Sequence, residues 1–365
     1  MKRVTTLLLI GAVMMVFISS CATTAPQVQP TRRYTWPRSS DEPRIEWLGI
    51  FASDKQLRTA APKVLSLLIG EENSIKLERP IGVTANSKGT VFVSEHSRGR
   101  FVEFNFREKD VRPVLDADTA QSIATPFALS VDAEDNLYVS DDFKRKIHVI
   151  SPERKIIKVI DLSATVGGIG FFTVDKKRKR LVVPDFVLHK VVVLTLDGRL
   201  LFTIGGKGSG DGQMNRPNAV AVEKDGSIVV AETFNARVQR FTADGAFINK
   251  FGKRGDAEGE FGLIKGIAVD SEDHIYVTDA RLNRVTIFSK DGVGLMTFGD
   301  AYPQGSKSAT VLGIGGFNGL QSIYIDEEDR IYISDQYNNS IQIFQYLNKD
   351  YLKMYPLSGP ARSLL

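Results

Sequence analysis

Most of the chain is written as short runs of β-branched and aromatic residues broken by polar turns rich in Asp, Asn and Gly. Ile275 to Phe288 shows the unit clearly: Ile-Tyr-Val-Thr-Asp, then Ala-Arg-Leu-Asn, then Arg-Val-Thr-Ile-Phe. Strand composition on both sides of turn chemistry predicts a β-hairpin. The unit recurs. Counted on the acid that ends its first run, Glu95, Asp141, Asp185, Glu232, Asp279 and Asp335 form a column with gaps of 46, 44, 47, 47 and 56 residues by subtraction. Two residues earlier stand Val93, Val139, Val183, Val230, Val277 and Ile333. Five later stand Arg100, Lys146, Lys190, Arg237 and Arg284, with Ser340 as the exception. Apolar residues hold the sixth place (Phe101, Ile147, Val191, Val238, Val285, Ile341) and the ninth (Phe104, Ile150, Leu194, Phe241, Phe288, Phe344).

Columns kept in register over six copies define a repeat protein, and the period is that of a propeller blade. Each copy reads as four strands. Strand a is exemplified by Gly82 to Ala85 and Ala219 to Val222; strand b ends at the acid and strand c starts after the base. Strand d follows in Leu200 to Ile204, Phe247 to Phe251 and, by phase, Tyr351 to Tyr355. A Gly-rich crossover leads on, as in residues 205 to 217. Four antiparallel strands repeated radially protect their short edges inside a closed ring, so the predicted fold is all-β, a six-bladed β-propeller.

The stretch Gly-Asp-Gly-Gln-Met-Asn-Arg-Pro-Asn-Ala-Val-Ala-Val followed by Glu232-Thr-Phe-Asn-Ala-Arg-Val resembles the NHL-repeat family of propellers. The resemblance covers residues 80 to about 347 and is sharpest in copies four to six. The chain also resembles bacterial lipoproteins known only as six-bladed propellers. In that picture Arg44 to Phe51 pairs with the last blade and shuts the ring, in competition with Tyr351 to Tyr355 for the same place. Lys55 to Ile69 reads as a broken helix capped at Ser53 or Asp54, with Pro62 inside it.

The N-terminus has its own logic. Lys2 and Arg3 precede an apolar run from Val4 to Ile18, too short for a confident membrane span and suited to a secretory leader. Ile18-Ser-Ser-Cys21 resembles a lipobox, and Cys21 is the single cysteine, so no disulfide forms within the chain. The resemblance implies a lipid on Cys21 and an exported protein held at the cell envelope, with Ala22 favouring the outer membrane in a diderm cell. The expected divisions are a leader at 1–20, a flexible tether at 21–43, a closing strand and short helix at 44–79, the propeller at 80–357 and a tail at 358–365. A net charge of +4, spread along the chain, gives no nucleic-acid footprint.

Candidate chemistry centres on the acid and base columns, which face each other across a hairpin turn. Their bland role is to cap that turn. Their functional role would be at the mouth of the channel, where the b–c turns and the crossovers share one face. Glu95, Arg98, Asp141, His189, Asn235, Arg281, Asn283, Gln336 and Asn338 are expected there as a rim of mixed polar groups, with Asn218 at the start of a strand a. The six strand-a starts are read as Ile81, Phe127, Ile169, Asn218, Gly266 and Leu320. Only Asn218 among them suits a calcium shell like that of sugar lactonases. His96, His148, His189 and His274 fall at different phases, unlike the convergent zinc ligands of propeller amidating lyases. No metal or other cofactor is expected. The a–b turn of blade three, Lys176, Lys177, Arg178, Lys179 and Arg180, is either a solvated turn or a contact for anionic headgroups or polysaccharide. The function expected is a monomeric, non-catalytic binding or scaffold module for an envelope protein complex or polysaccharide. A metal-dependent hydrolase or lyase is the competing class, and a structural spacer a third.

Overall fold

The computed structural model describes residues 33–38, 42–57, 75–95, 98–301 and 313–359. Cys21, His96 and most of the segment read as a broken helix lie outside the described residues; of that segment Asp54–Gln56 is a single 3-10 turn.

Six antiparallel sheets follow one another around an axis. Blade one is Pro80–Ala85, Thr90–Glu95, Arg100–Asn105 and Asp110–Pro113, paired in sequence order from the axis outward. Blade four, Pro217–Val222, Ile228–Glu232, Arg237–Phe241 and Phe247–Phe251, repeats it. Strand b ends on the acid and strand c opens on the base, and in every blade but the third that acid also pairs with the first residue of strand a. The apolar columns are the core. Val93, Val139, Val183, Val230, Val277 and Ile333 are all fully buried, as are the sixth-place residues apart from a trace at Phe101. Each such side chain buried between two neighbouring sheets contributes roughly 1.5–3 kcal/mol. Because strands b and c are covered on both faces, they read as near-continuous hydrophobic runs. The outer strand is half-solvated and alternates, as Phe247–Phe251 does.

Blade six is closed by the N-terminal part of the chain. Its sheet runs Leu320–Ile325, Arg330–Asp335, Ser340–Tyr346, then Ile45–Phe51, then Tyr34–Trp36. Trp47 lies opposite Phe344 in that added pair. Tyr351 to Tyr355 is therefore not strand d: Lys349–Met354 is a short helix whose N-cap Asn348 accepts from the Tyr351 N–H at 2.7 Å. The edge it would have filled is already taken. Tyr34–Trp36 adds a fifth strand from within the stretch expected to be tether. Arg33 anchors it through a buried ion pair to Glu46 and a 2.8 Å bond to the Pro356 carbonyl. The long gap between the fifth and sixth acids comes from the crossover after blade five, where Asp300–Ala301 pairs in parallel with Gly316–Phe317.

Candidate functional site

The acid column braces the ring. Each acid is buried and accepts backbone N–H groups of the crossover that enters its own blade: Ala124 for Asp141, Gly167 and Gly168 for Asp185, Asn215 for Glu232, Gly262 and Leu263 for Asp279, Asn318 for Asp335, and Glu78 for Glu95. The bases finish the brace. Arg100 and Arg237 pair with their acids, while Arg237 and Arg284 also donate to crossover carbonyls. Lys190 donates to the Thr165 carbonyl and Lys146 pairs with Asp161 instead of Asp141. In blade six, where Ser340 replaces the base, Asp335 meets only amides. Burial lifts its pKa to about 6 against the pull of Asn318, Asn338 and Gln342.

The residue four past each acid sits in the left-handed region: Gly99, Arg145, His189, Ala236, Asn283 and Asn339. Three of these reach the crossover entering the next blade. His189 Nδ1 accepts from the Arg216 N–H at 2.9 Å, Asn283 Oδ1 from Gly319 at 2.7 Å, and Asn339 Oδ1 from Arg79 at 2.9 Å. Ser94, Thr278 and Ser334 hydroxyls donate across blades to the Phe127, Gln321 and Ile81 carbonyls. These hydrogen bonds hold the inner strands, and with them the channel lining.

At the axis a β-bulge after the first residue of strand a turns the second residue inward in blades one, two, four, five and six. Ile81, Phe127, Asn218, Lys265 and Gln321 thereby line a cavity of about 240 Å³, with Phe171, Phe186, Arg216 and Asp142. The inward places expected at Gly266 and Leu320 are held by Lys265 and Gln321, one position away in each case, because the bulge breaks the strand's alternation. In blade three the strand is irregular before Thr173–Asp175, and Phe171 takes the inward place assigned to Ile169, which is buried. Phe127 and Phe171 stack with centroids 4.8 Å apart. From the neighbouring blades, the Arg216 guanidinium lies between the Phe186 and Phe234 rings, 5.0 and 5.3 Å from their centroids. Lys265 has its pKa held down by burial and then by Arg216. Asn218 Nδ2 donates to the Lys265 carbonyl at 2.6 Å, and Gln321 Nε2 to Gln336 Oε1 at 3.0 Å.

Of the residues expected at the mouth, Asn218 lines the cavity and Gln336 touches it through Gln321. Glu95 and Asp141 are buried in braces, Asn235 and Asn338 bond the acids of their own turns, and Asn283 and His189 tie neighbouring blades. Arg98 pairs with Glu78, and Arg281 is exposed at its turn. The rim is not only polar. Two residues past the acid, the described turn tips are Phe143, Val187, Phe234, Arg281 and Tyr337, joined by Leu188, all exposed and Phe143 at 82%. Their common phase is visible in the sequence.

On the opposite face the five basic residues of blade three are largely engaged. Arg180 is buried on Asp175 at 2.9 Å, Arg178 reaches Asp175 and the Asp225 carbonyl, and Lys176 pairs with Glu327 at 3.3 Å. Lys177 and Lys179 alone are left exposed. His148 is buried in strand c of blade two and His274 bonds Asp270 in an a–b turn, so the described histidines do not converge. The axial donors suit a metal no better: one carboxylate, Asp142, shares the cavity with two cationic side chains.

Six sheets of four or more antiparallel strands, each braced by an acid and packed on the next, make this chain a six-bladed β-propeller. A family model described as a 6-bladed beta-propeller matches residues 213–297. NHL repeat-containing protein 2 of Gallus gallus is 40% identical over 78 residues, which are 20% of this chain and 11% of that protein. The chain thus matches about a tenth of that curated relative's length. Among solved structures, virginiamycin B lyase from Staphylococcus aureus superposes with a TM-score of 0.52 at 15% identity, over 83% of this chain and 89% of that one. A gluconolactonase from Xanthomonas campestris gives 0.53 at 18%, over 74% and 85%. At such identities the likeness is one of fold.

Proposed function

We propose that this chain is a lipid-anchored envelope protein whose propeller binds a protein partner through the face bearing the b–c turns. The observation that carries the reading is the exposed crown of Phe143, Val187, Leu188, Phe234 and Tyr337, set around one cavity and gathered from four blades. Exposed apolar groups clustered on one face mark an interaction surface, whereas scattered ones need no explanation. Aromatic and branched aliphatic tips favour a protein over a polysaccharide as the partner. The fold is shared with a lyase and a lactonase, but the cations at the axis of this chain oppose the binding of a catalytic metal there. Anchoring through a lipid on Cys21 belongs to the same proposal.

The test is site-specific photo-crosslinking in the producing cells, with the photoreactive residue at 143 or 234 and, for comparison, at 157 or 248 on the outer strands. A discrete adduct from the crown positions alone is the expected result. No adduct, or the same adducts from both sets, would sink the docking reading. Fatty-acid labelling of the same chain, abolished by Cys21→Ser, is expected for the anchor.

A further inference from the structure

Five enclosed arginines of this protein each have a carboxylate partner. Arg33 has Glu46, Arg180 has Asp175, Arg237 has Glu232, Arg240 has Glu223 and Arg330 has Asp326, all within 2.5–2.9 Å. Arg216 and Lys265 have no such partner. Both are half-buried, both line the axial cavity, and among the described residues neither forms an ion pair. Two like charges sharing a small, partly desolvated space raise its free energy unless an anion joins them. The Lys265 ammonium already feels the strain of burial and of Arg216.

The arrangement is also preorganised. Arg216 has φ near +56°, and its N–H is held by His189 Nδ1, so its backbone has one defined direction. Its guanidinium is clamped between Phe186 and Phe234. A fork held flat in this way can offer parallel N–H groups to a carboxylate with little further loss of entropy. Lys265 supplies a second donor, and Asn218 and Gln321 border the same space. Blade two lies across the ring from blade five, so Phe127 and its stacked neighbour Phe171 form the wall facing Lys265. Asp142 also lines the cavity, so among the described lining residues cations exceed carboxylates by one, which suits a monoanion better than a dianion.

We propose that the axial cavity is a carboxylate subsite: Arg216 and Lys265 take a carboxylate from the docking segment of a protein partner, and Phe127, Phe171 and Phe186 take its apolar flank. The proposal rests on the docking face described above. A protein is the source because the apolar crown continues outward from the cavity, and Arg281 at the rim adds a further cation for an acidic segment. The volume of about 240 Å³ admits a carboxylate with one ring-sized side chain, not a nucleotide.

The experiment is calorimetric titration of the purified full chain with N-acetylphenylalanine, with its amide, and with inorganic phosphate. The acid is expected to bind, and the amide at least tenfold more weakly. Lys265→Met should weaken the acid at least tenfold, Lys265→Arg should retain binding, and Arg216→Gln should act like the methionine variant. Unchanged thermal unfolding of the lysine variants separates a lost contact from a lost fold. Equal binding of acid and amide, binding of phosphate without the acid, or no binding at all overturns the subsite. The crosslinks report separately. Crown adducts without acid-selective titration leave the docking face standing and remove this inference. Acid-selective titration without crown adducts removes the protein as source and leaves a free small acid as the ligand.

Discussion

Asp335 offers a sharp test of how the acid column works. It occupies the same place as Glu232, yet Ser340 stands where Glu232 has Arg237. Its carboxylate accepts from Asn318 N–H and Asn338 Nδ2 at 2.8 Å and from Gln342 Nε2 at 3.3 Å, with no cation paired to it among the described residues. Burial lifts its pKa to about 6, against about 3.9 for an unfolded aspartate. The folded state therefore holds the proton more tightly than the unfolded state. The stabilisation from this group is complete below about pH 4 and is lost as the pH rises through 6, a span of roughly 3 kcal/mol. Asparagine at 335 does not titrate. The stability of Asp335→Asn relative to the parent should thus move in favour of the variant by roughly 1–2 kcal/mol between pH 5 and pH 7.5. Denaturant midpoints of both proteins at both pH values measure this, since other titrating groups cancel in the difference. A difference that stays constant, or moves the other way, would refute the claim that a missing base leaves this acid strained.

Two further outcomes follow from the braces. Glu232→Gln strips the counter-charge from buried Arg237 and turns an amide toward the Asn215 N–H or Asn235, so a loss of about 3–5 kcal/mol is expected in chemical unfolding. Gly82→Ala would place a methyl 2.4 Å from the Phe127 carbonyl and 2.8 Å from Ser94 Oγ. It should cost about 2 kcal/mol or more, read as a lowered unfolding midpoint.

Much of the fold was legible because the repeat aligns positions that do one job. The boundaries at Glu95 and Arg100, or at Asp279 and Arg284, are one-residue features set by a left-handed turn position between them. The axial site was far less legible. A bulge shifts the inward place by one residue, and a local irregularity moves it from Ile169 to Phe171, changes to which periodicity is blind. Arg216 gave no signal of its own, since its role depends on Phe186 and Phe234 from two different blades. Ser340 was the readable exception: a gap in the base column marks the acid whose electrostatics differ. Which end of the chain would complete blade six was undecided because Ile45–Phe51 and Tyr351 to Tyr355 carry similar strand composition, and only the pairing distinguishes them.

That pairing has a kinetic side. Trp47 donates from its indole to Gln342, 295 residues away along the chain. Bringing ends so distant together costs roughly 5 kcal/mol in chain entropy, and contacts of such high order form slowly. During synthesis the Ile45–Phe51 strand leaves the ribosome early, yet its partner Ser340–Tyr346 leaves almost last. For nearly the whole of translation it is an unmatched hydrophobic edge, and blades made in between can form before the circle is shut. The final step of folding is then a docking event at one seam, and a chain stopped short of blade six keeps two open edges available to a second molecule.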